Sequence, residues 1–221
     1  MGGTIRIDSQ NNSDKVDFVN CTFAYNACVG RNSPAGINVV KGAANIINSI
    51  FFGSVTGQVN AASIGKYVHV GSSGSASITN CMFESEADIS AVNATSLSTH
   101  KLKFEDPLFV YSLSQSRGLE EYAGKGIMSD TAMTNITRAV SFITDGTLNV
   151  HLRGARGYFD ENTGEFVKGY KGAENQSPAI DAGINVFEEF KERNGNKVNL
   201  GFYGNTPWAT MSSGGFMIII R

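Results

Sequence analysis

Lys66 and His69 are the side chains of the first half of the chain best suited to proton transfer. Lys66 precedes and His69 lies within the strand-like run Tyr67-Val68-His69-Val70, and Lys41 lies one repeat earlier. A lysine or imidazole can act as acid or base when burial or a neighbouring charge tunes it. Ordinary surface polarity is the plainer reading of both. Glu84, Glu86 and Asp88 alternate along the chain. On a strand they would share one face, and three carboxylates so gathered suit Ca²⁺. A solvated acidic loop is the simpler alternative. His151, Arg153 and Arg156 form the densest basic cluster, where planar guanidinium groups could grip an anion. Tyr158, Tyr170, Tyr203 and Trp208 offer faces for stacking, although aromatics are more often core. No Gly-x-Ser-x-Gly, P-loop or His-Glu-x-x-His pattern is present.

Three segments resemble one another and set the framework for these residues. They are Asp17-Phe18-Val19-Asn20-Cys21-Thr22-Phe23, Asn45-Ile46-Ile47-Asn48-Ser49-Ile50-Phe51 and Ser77-Ile78-Thr79-Asn80-Cys81-Met82-Phe83. Each has Asn, a small residue, a spacer and Phe, and both the Asn and the Phe positions recur after 28 and then 32 residues. Such a period is the signature of a solenoid. Each segment alternates like a strand, and one strand alone cannot bury its apolar side. Stacked at about 4.8 Å per turn, Phe23, Phe51 and Phe83 form an internal aromatic column. Asn20, Asn48 and Asn80 then stand at a turn, their amides bonding up and down as a ladder. Cys21 and Cys81 fall two turns apart, roughly 9.6 Å, which is too far for a disulfide. A β-sandwich is the rival fold, but its hairpin signals are sparse between residues 15 and 90.

The composition agrees. The chain has 221 residues with 25 Gly, 20 Asn and 22 Ser, yet 41% are hydrophobic, so it turns often and still has a core. A net charge of −2 gives no footprint for nucleic acid. No apolar run is long enough to span a bilayer as a helix. Three cysteines without a Cys-x-x-Cys pair argue against zinc; buried free thiols are expected, with a Cys21–Cys28 bridge as the alternative. The sequence enters strand-like alternation at once, without a signal peptide, as a piece of a longer polypeptide would.

Three later motifs carry a family resemblance. Asp106-Pro107-Leu108-Phe109-Val110, then Ser177-Pro178-Ala179-Ile180-Asp181-Ala182-Gly183, then Asn199-Leu200-Gly201-Phe202-Tyr203-Gly204-Asn205-Thr206 occur in that order. They resemble the closing segments of bacterial right-handed parallel β-helix proteins of the pectate-lyase-like group. Phe202 departs from the pattern, which commonly has Ala there, and Ile184 stands where Asp is frequent. The resemblance implies an all-β fold: parallel β-helix coils over residues 1–110, a terminal rung and cap over 111–210, and a tail over 211–221. Within the cap, the spacing of Met133, Ile136, Val140 and Ile143 predicts a helix at about 130–144. Tyr158 to Val167 reads as a β-hairpin.

The resemblance also implies an extracellular or cell-surface protein that meets polysaccharide. In the lyases of the group a Lys or Arg abstracts a proton while carboxylate-bound Ca²⁺ neutralises a uronate. Here Lys66 and His69 are the candidates for the first role, and Glu84, Glu86 and Asp88 for the second. His151, Arg153, Arg156 and Trp208 are candidates for holding substrate. Asp106 and Asp181 sit in architectural motifs, where turn roles are expected. Two readings stand level: a carbohydrate-active enzyme, lyase or glycosidase, or a fragment of one; and a non-catalytic adhesion or glycan-binding module. A trimeric phage-type fibre is a third.

Overall fold

Asn tolerates the left-handed backbone region better than other non-glycine residues, and the repeat uses it there. In the computed structural model, Asn20, Asn48 and Asn80 have φ of 53°, 53° and 50°. Each turns the chain sharply between two strands. The structure describes residues 5–28, 33–56, 64–111, 149–160, 163–167, 169–187, 192 and 197–211. Among them the chain is mainly β, with no α-helix.

The strands follow one another in four similar turns. The first comprises β1 (Ile5–Asp8), β2 (Lys15–Val19), β3 (Thr22–Ala24) and β4 (Ala27–Cys28). The second comprises β5 (Ile37–Ile47), β6 (Ile50–Phe52) and β7 (Val55–Thr56), and the third β8 (Val68–Thr79) and β9 (Met82–Phe83). The fourth comprises β10 (Ile89–Ala91), β11 (Leu97–His100) and β12 (Lys103–Phe104). All pairings among these strands are parallel. β1 and β2 lie on β5, β5 on β8, and β10 and β11 on the other edge of β8. β3, β6, β9 and β12 form a second sheet, and β4 and β7 a third. A parallel pair needs a long crossover; here the rest of each turn supplies it.

Register puts like residues over like. Phe23 stacks on Phe51 at 4.7 Å between ring centroids and 0° between planes, and Phe51 on Phe83 at 4.6 Å and 4°. Strand spacing dictates that separation. Apolar columns run beside them, Ile5–Ile37–Val68–Ile89 and Ile7–Val39–Val70–Ala91. Phe51, Phe83, Ile37, Val39, Val68 and Val70 are fully buried. Burying each such side chain contributes roughly 1.5–3 kcal/mol.

The fourth turn lacks the Asn of the other three. Lys101 occupies the Asn position at φ 51°, and Phe104 pairs in register with Phe83. A lysine in place of Asn hides the pattern from the sequence.

The small residue after each Asn has its own role. The side chains of Cys21, Ser49 and Cys81 each bond back to the carbonyl two residues earlier, at 3.5, 3.0 and 3.3 Å. Two of them also receive backbone N–H groups across turns: Cys21 N–H donates to Ser49 Oγ at 3.1 Å, and Ser49 N–H to Cys81 Sγ at 3.4 Å. Three thiol or hydroxyl groups thus satisfy what the sharp turns leave open. All three cysteines are free.

After β12 the parallel pattern stops. β13 (Phe109–Tyr111) pairs antiparallel with β14 (Asn149–Leu152), so the first closing motif does not continue the parallel stack. The expected hairpin is present, with β15 (Tyr158–Asp160) antiparallel to β16 (Glu165–Val167). The helix expected at about 130–144 lies outside the described residues, as does the tail beyond Met211.

The second and third closing motifs lie along the Asn column and draw its amides away from a simple ladder. One rung-to-rung link remains, Asn48 Nδ2 to Asn20 Oδ1 at 3.5 Å. Otherwise Asn20 Nδ2 donates to Asn199 O at 3.1 Å, Asn48 Nδ2 to Ile184 O at 2.7 Å, and Asn80 Nδ2 to Ala182 O at 3.1 Å. The two motifs join each other through Gly183 N–H to Val198 O and Leu200 N–H to Ala179 O. They form a clasp across three turns. Its glycines follow from the close approach: a Cβ on Gly204 would lie 2.3 Å from Asn20 Nδ2 and 2.0 Å from Asn199 O.

Candidate functional site

The residues singled out for chemistry fall in two places. Lys66, Tyr67 and Glu84 meet at the end of the third turn. The Lys66 ammonium forms an ion pair with Glu84, and Tyr67 OH donates to Glu84 Oε2 at 2.5 Å while accepting from Ser54 N–H at 2.9 Å. Burial, then the adjacent Glu84 charge, pushes the Tyr67 phenol far above its ordinary range, so it stays protonated. Lys66 is therefore held by a counter-charge.

His69 faces elsewhere. Its Nδ1 is 2.9 Å from Ser90 Oγ, which accepts the Gly65 N–H at 2.6 Å. Burial lowers its pKa. The ring belongs to the column Arg6–Asn38–His69–Ser90. The structure does not unite Lys66 and His69 around one reacting point: each has its own partner.

The expected Ca²⁺ face of Glu84, Glu86 and Asp88 does not form. Glu86–Asp88 is a 3-10 turn rather than a strand, so the three side chains do not alternate on one face. Glu84 holds Lys66 and Tyr67, Asp88 Oδ2 accepts Ser85 N–H at 2.8 Å, and Glu86 is exposed. Burial raises the Asp88 pKa, against the pull of the Ser85 hydrogen bond and of Lys66. These residues do not fit the ion. Among the described residues, no group of three or more His, Cys, Asp or Glu side chains is arranged to hold a metal.

The second place is richer. Around the hairpin lie two groups of rings, His151, Tyr158, Tyr203 and Phe202 in one and Phe159, Phe166 and Trp208 in the other. His151 stacks on Tyr203 at 3.7 Å and lies 5.2 Å from Tyr158. Phe202 meets Tyr203 edge-on at 5.0 Å. Phe159, the next residue on β15 and therefore on its other face, lies 5.6 Å from Phe166 and 6.2 Å from Trp208. His151 is buried, its Nδ1 2.8 Å from Asn149 Oδ1, so it props Tyr203 rather than facing a ligand. Arg153 is also engaged: its Nε donates to Phe109 O at 2.9 Å and its guanidinium lies over the Tyr170 ring at 5.5 Å. Arg156 is exposed. Trp208 is 50% exposed and Phe202 64%. Beneath Phe202 and Tyr203 the gap lined by Ile50, Leu152 and Leu200 is about 10 Å³, no more than a water's room.

Comparison with protein-family models, curated proteins and solved structures finds no match.

Of the four residues expected to hold substrate, then, Trp208 and Arg156 are accessible, while His151 and Arg153 are supports. Phe202 and Phe159 were not among the candidates. Phe202 carried a signal: it departs from the motif's usual Ala, and a motif that tolerates a methyl there leaves space outward. Phe159 gave none, since alternation in a hairpin does not say which face is open.

Proposed function

We propose that the chain is a right-handed parallel β-helix of an extracellular or cell-surface protein, and that it binds polysaccharide without transforming it. Parallel ladders of successive turns, the in-register Phe column and the closing motifs support the architecture; right-handedness is the rule for parallel crossovers. The reading of function rests on one observation, the exposure of Trp208 and of Phe202, each beside a group of further aromatic rings. Exposed rings backed by further aromatics offer rigid contact area at little conformational cost. A pyranose ring offers a flat C–H face that packs on such rings, while its hydroxyls stay solvated. Arg156 adds a planar donor able to reach hydroxyl or carboxylate oxygens. Binding is favoured over lyase chemistry because Lys66 is ion-paired and the Glu84–Asp88 carboxylates do not form a metal site.

Affinity electrophoresis through gels containing pectin, alginate, xylan or β-glucan tests the proposal. At least one polysaccharide should retard the protein, and Trp208→Ala or Phe202→Ala should abolish the retardation. No retardation in any gel, or retardation indifferent to both substitutions, rejects it. Ultraviolet-absorbing unsaturated ends, released by the protein from any of these polymers, would restore the lyase reading instead.

A further inference from the structure

Between the two strands of the clasp lies a buried polar knot that neither the stack nor the aromatic rings use. At its centre is Glu192, 4% exposed. One carboxylate oxygen, Oε1, accepts the Asn199 N–H at 2.6 Å and the Asn205 N–H at 2.7 Å. Asn199 in turn accepts the Asp181 N–H on its Oδ1 at 2.9 Å and donates its Nδ2 to Thr210 O at 2.6 Å. Asn199 thus binds both Glu192 and Asp181, and Glu192 in turn holds Asn205.

The remaining atoms of the knot have no partners. Glu192 Oε2, Asp181 Oδ1 and both Oδ1 and Nδ2 of Asn205 are buried without a hydrogen bond. Asn205 is 4% exposed, and its own N–H is held by the Glu192 carboxylate, so its side chain begins at the wall of the same site. Each buried polar atom left unpaired costs about 1–3 kcal/mol, more when charged, and native proteins seldom leave several together. A proton on Glu192 supplies one donor, which can answer at most one of the Asp181 and Asn205 oxygens. A cation answers all three oxygens at once.

We propose that Glu192, Asp181 and Asn205 bind a divalent cation, Ca²⁺, which locks the clasp onto the stack. All the side-chain donors are hard oxygens, two from carboxylates and one from an amide, the set Ca²⁺ takes. Waters complete its shell and accept from Asn205 Nδ2. The site carries two negative charges for one doubly charged ion, so charge balances. Burial pushes the Glu192 pKa up to about 7, the penalty that a bound cation removes. Asp181 and Asn205, at φ 57° and 61°, are held in left-handed turns that present their side chains from a tight backbone.

Thermal unfolding of the full chain in EDTA, in CaCl₂ and in MgCl₂ provides the test, with Tb³⁺ luminescence as a direct measure of occupancy. Ca²⁺ at about a hundredfold over its Kd should raise the midpoint by about 5 °C, and Mg²⁺ by much less. Glu192→Gln keeps an acceptor for the two amides and should lose the Ca²⁺ shift and the luminescence. Asp181→Asn, compatible with the left-handed backbone, should weaken Ca²⁺ at least about tenfold and gives the reading should Glu192→Gln fail to fold. Equal midpoints in Ca²⁺ and EDTA overturn the proposal, whatever Glu192→Gln does to stability. So does an undiminished Ca²⁺ shift in the variants, and Mg²⁺ matching Ca²⁺ overturns the choice of ion.

Discussion

Asn48 grips Ile184 by both ends of one peptide-like face: Nδ2 donates to Ile184 O at 2.7 Å, and Oδ1 accepts from Ile184 N–H at 3.0 Å. The side-chain amide imitates one step of a strand pairing, and the backbone O of Asn48 adds a third bond, from Gly201 N–H at 2.7 Å. Asn48 is fully buried. Asn48→Ala leaves Ile184 with two unanswered groups and places alanine at φ 53°. It should destabilise by about 3–5 kcal/mol, read as a lowered midpoint in urea unfolding. Asn48→Gly relieves the backbone but not the lost bonds, and should fall between. A loss under about 1 kcal/mol in Asn48→Ala would show that the clasp contributes little.

Phe51 lies between Phe23 and Phe83 in the aromatic column. Phe51→Ala opens a cavity closed above and below by rings held on strands, which cannot collapse into it. The expected loss is about 4 kcal/mol. Phe23 has a ring on one side only and is 8% exposed, so Phe23→Ala should lose less. Equal losses, by denaturant unfolding, would contradict the column.

Cys81 and Ser49 make the same two kinds of bond one turn apart. Cys81→Ser should therefore stay within about 1 kcal/mol of the parent, since an oxygen already does this work at 49. Ser49→Ala removes an acceptor from the Cys21 N–H and should lose about 1–3 kcal/mol. Burial pushes the Cys81 thiol up to about 12. It should resist a thiol reagent in the folded protein and react on unfolding, while half-buried Cys21 reacts first.

Asp88 has a folded-state pKa above its ordinary 3.8, chiefly through burial. The sign follows from linkage: the favourable contribution of the protonated group is complete below the ordinary value and is lost as pH rises through the folded one. Asp88→Asn keeps an acceptor for Ser85 N–H and carries no charge. It should match the parent at pH about 3 and exceed its stability at pH about 7. Parallel stability curves for the two proteins across that range would show that Asp88 does not titrate as its burial requires.

Residue patterns foretold the stack better than the site. Phe23, Phe51 and Phe83, with the Asn before each, could be aligned because stacking repeats the same environment at every turn, and repeated environments select repeated residues. Lys101 escaped because it takes the same left-handed turn without the residue type that favours it. The destination of the Asn amides was not legible. Asn20 and Asn199 are 179 residues apart, and nothing local marks such a partner. Glu84, Glu86 and Asp88 misled because their alternation fits a strand, whereas Ser85 begins a 3-10 turn closed by Asp88. Trp208 was visible as a residue type, but its exposure depends on how the hairpin packs.

A stack of turns bonded only to their neighbours can fray from an end, one layer at a time. The clasp changes that, since Ala182, Ile184 and Asn199 each hold a different layer. Peeling one layer away must also loosen a strap fastened to the other two, so opening events merge into a larger cooperative unit. The same long-range fastening closes late, after the layers it joins exist. Amide protons of the inner turns should accordingly exchange together and slowly, on the timescale of releasing the strap.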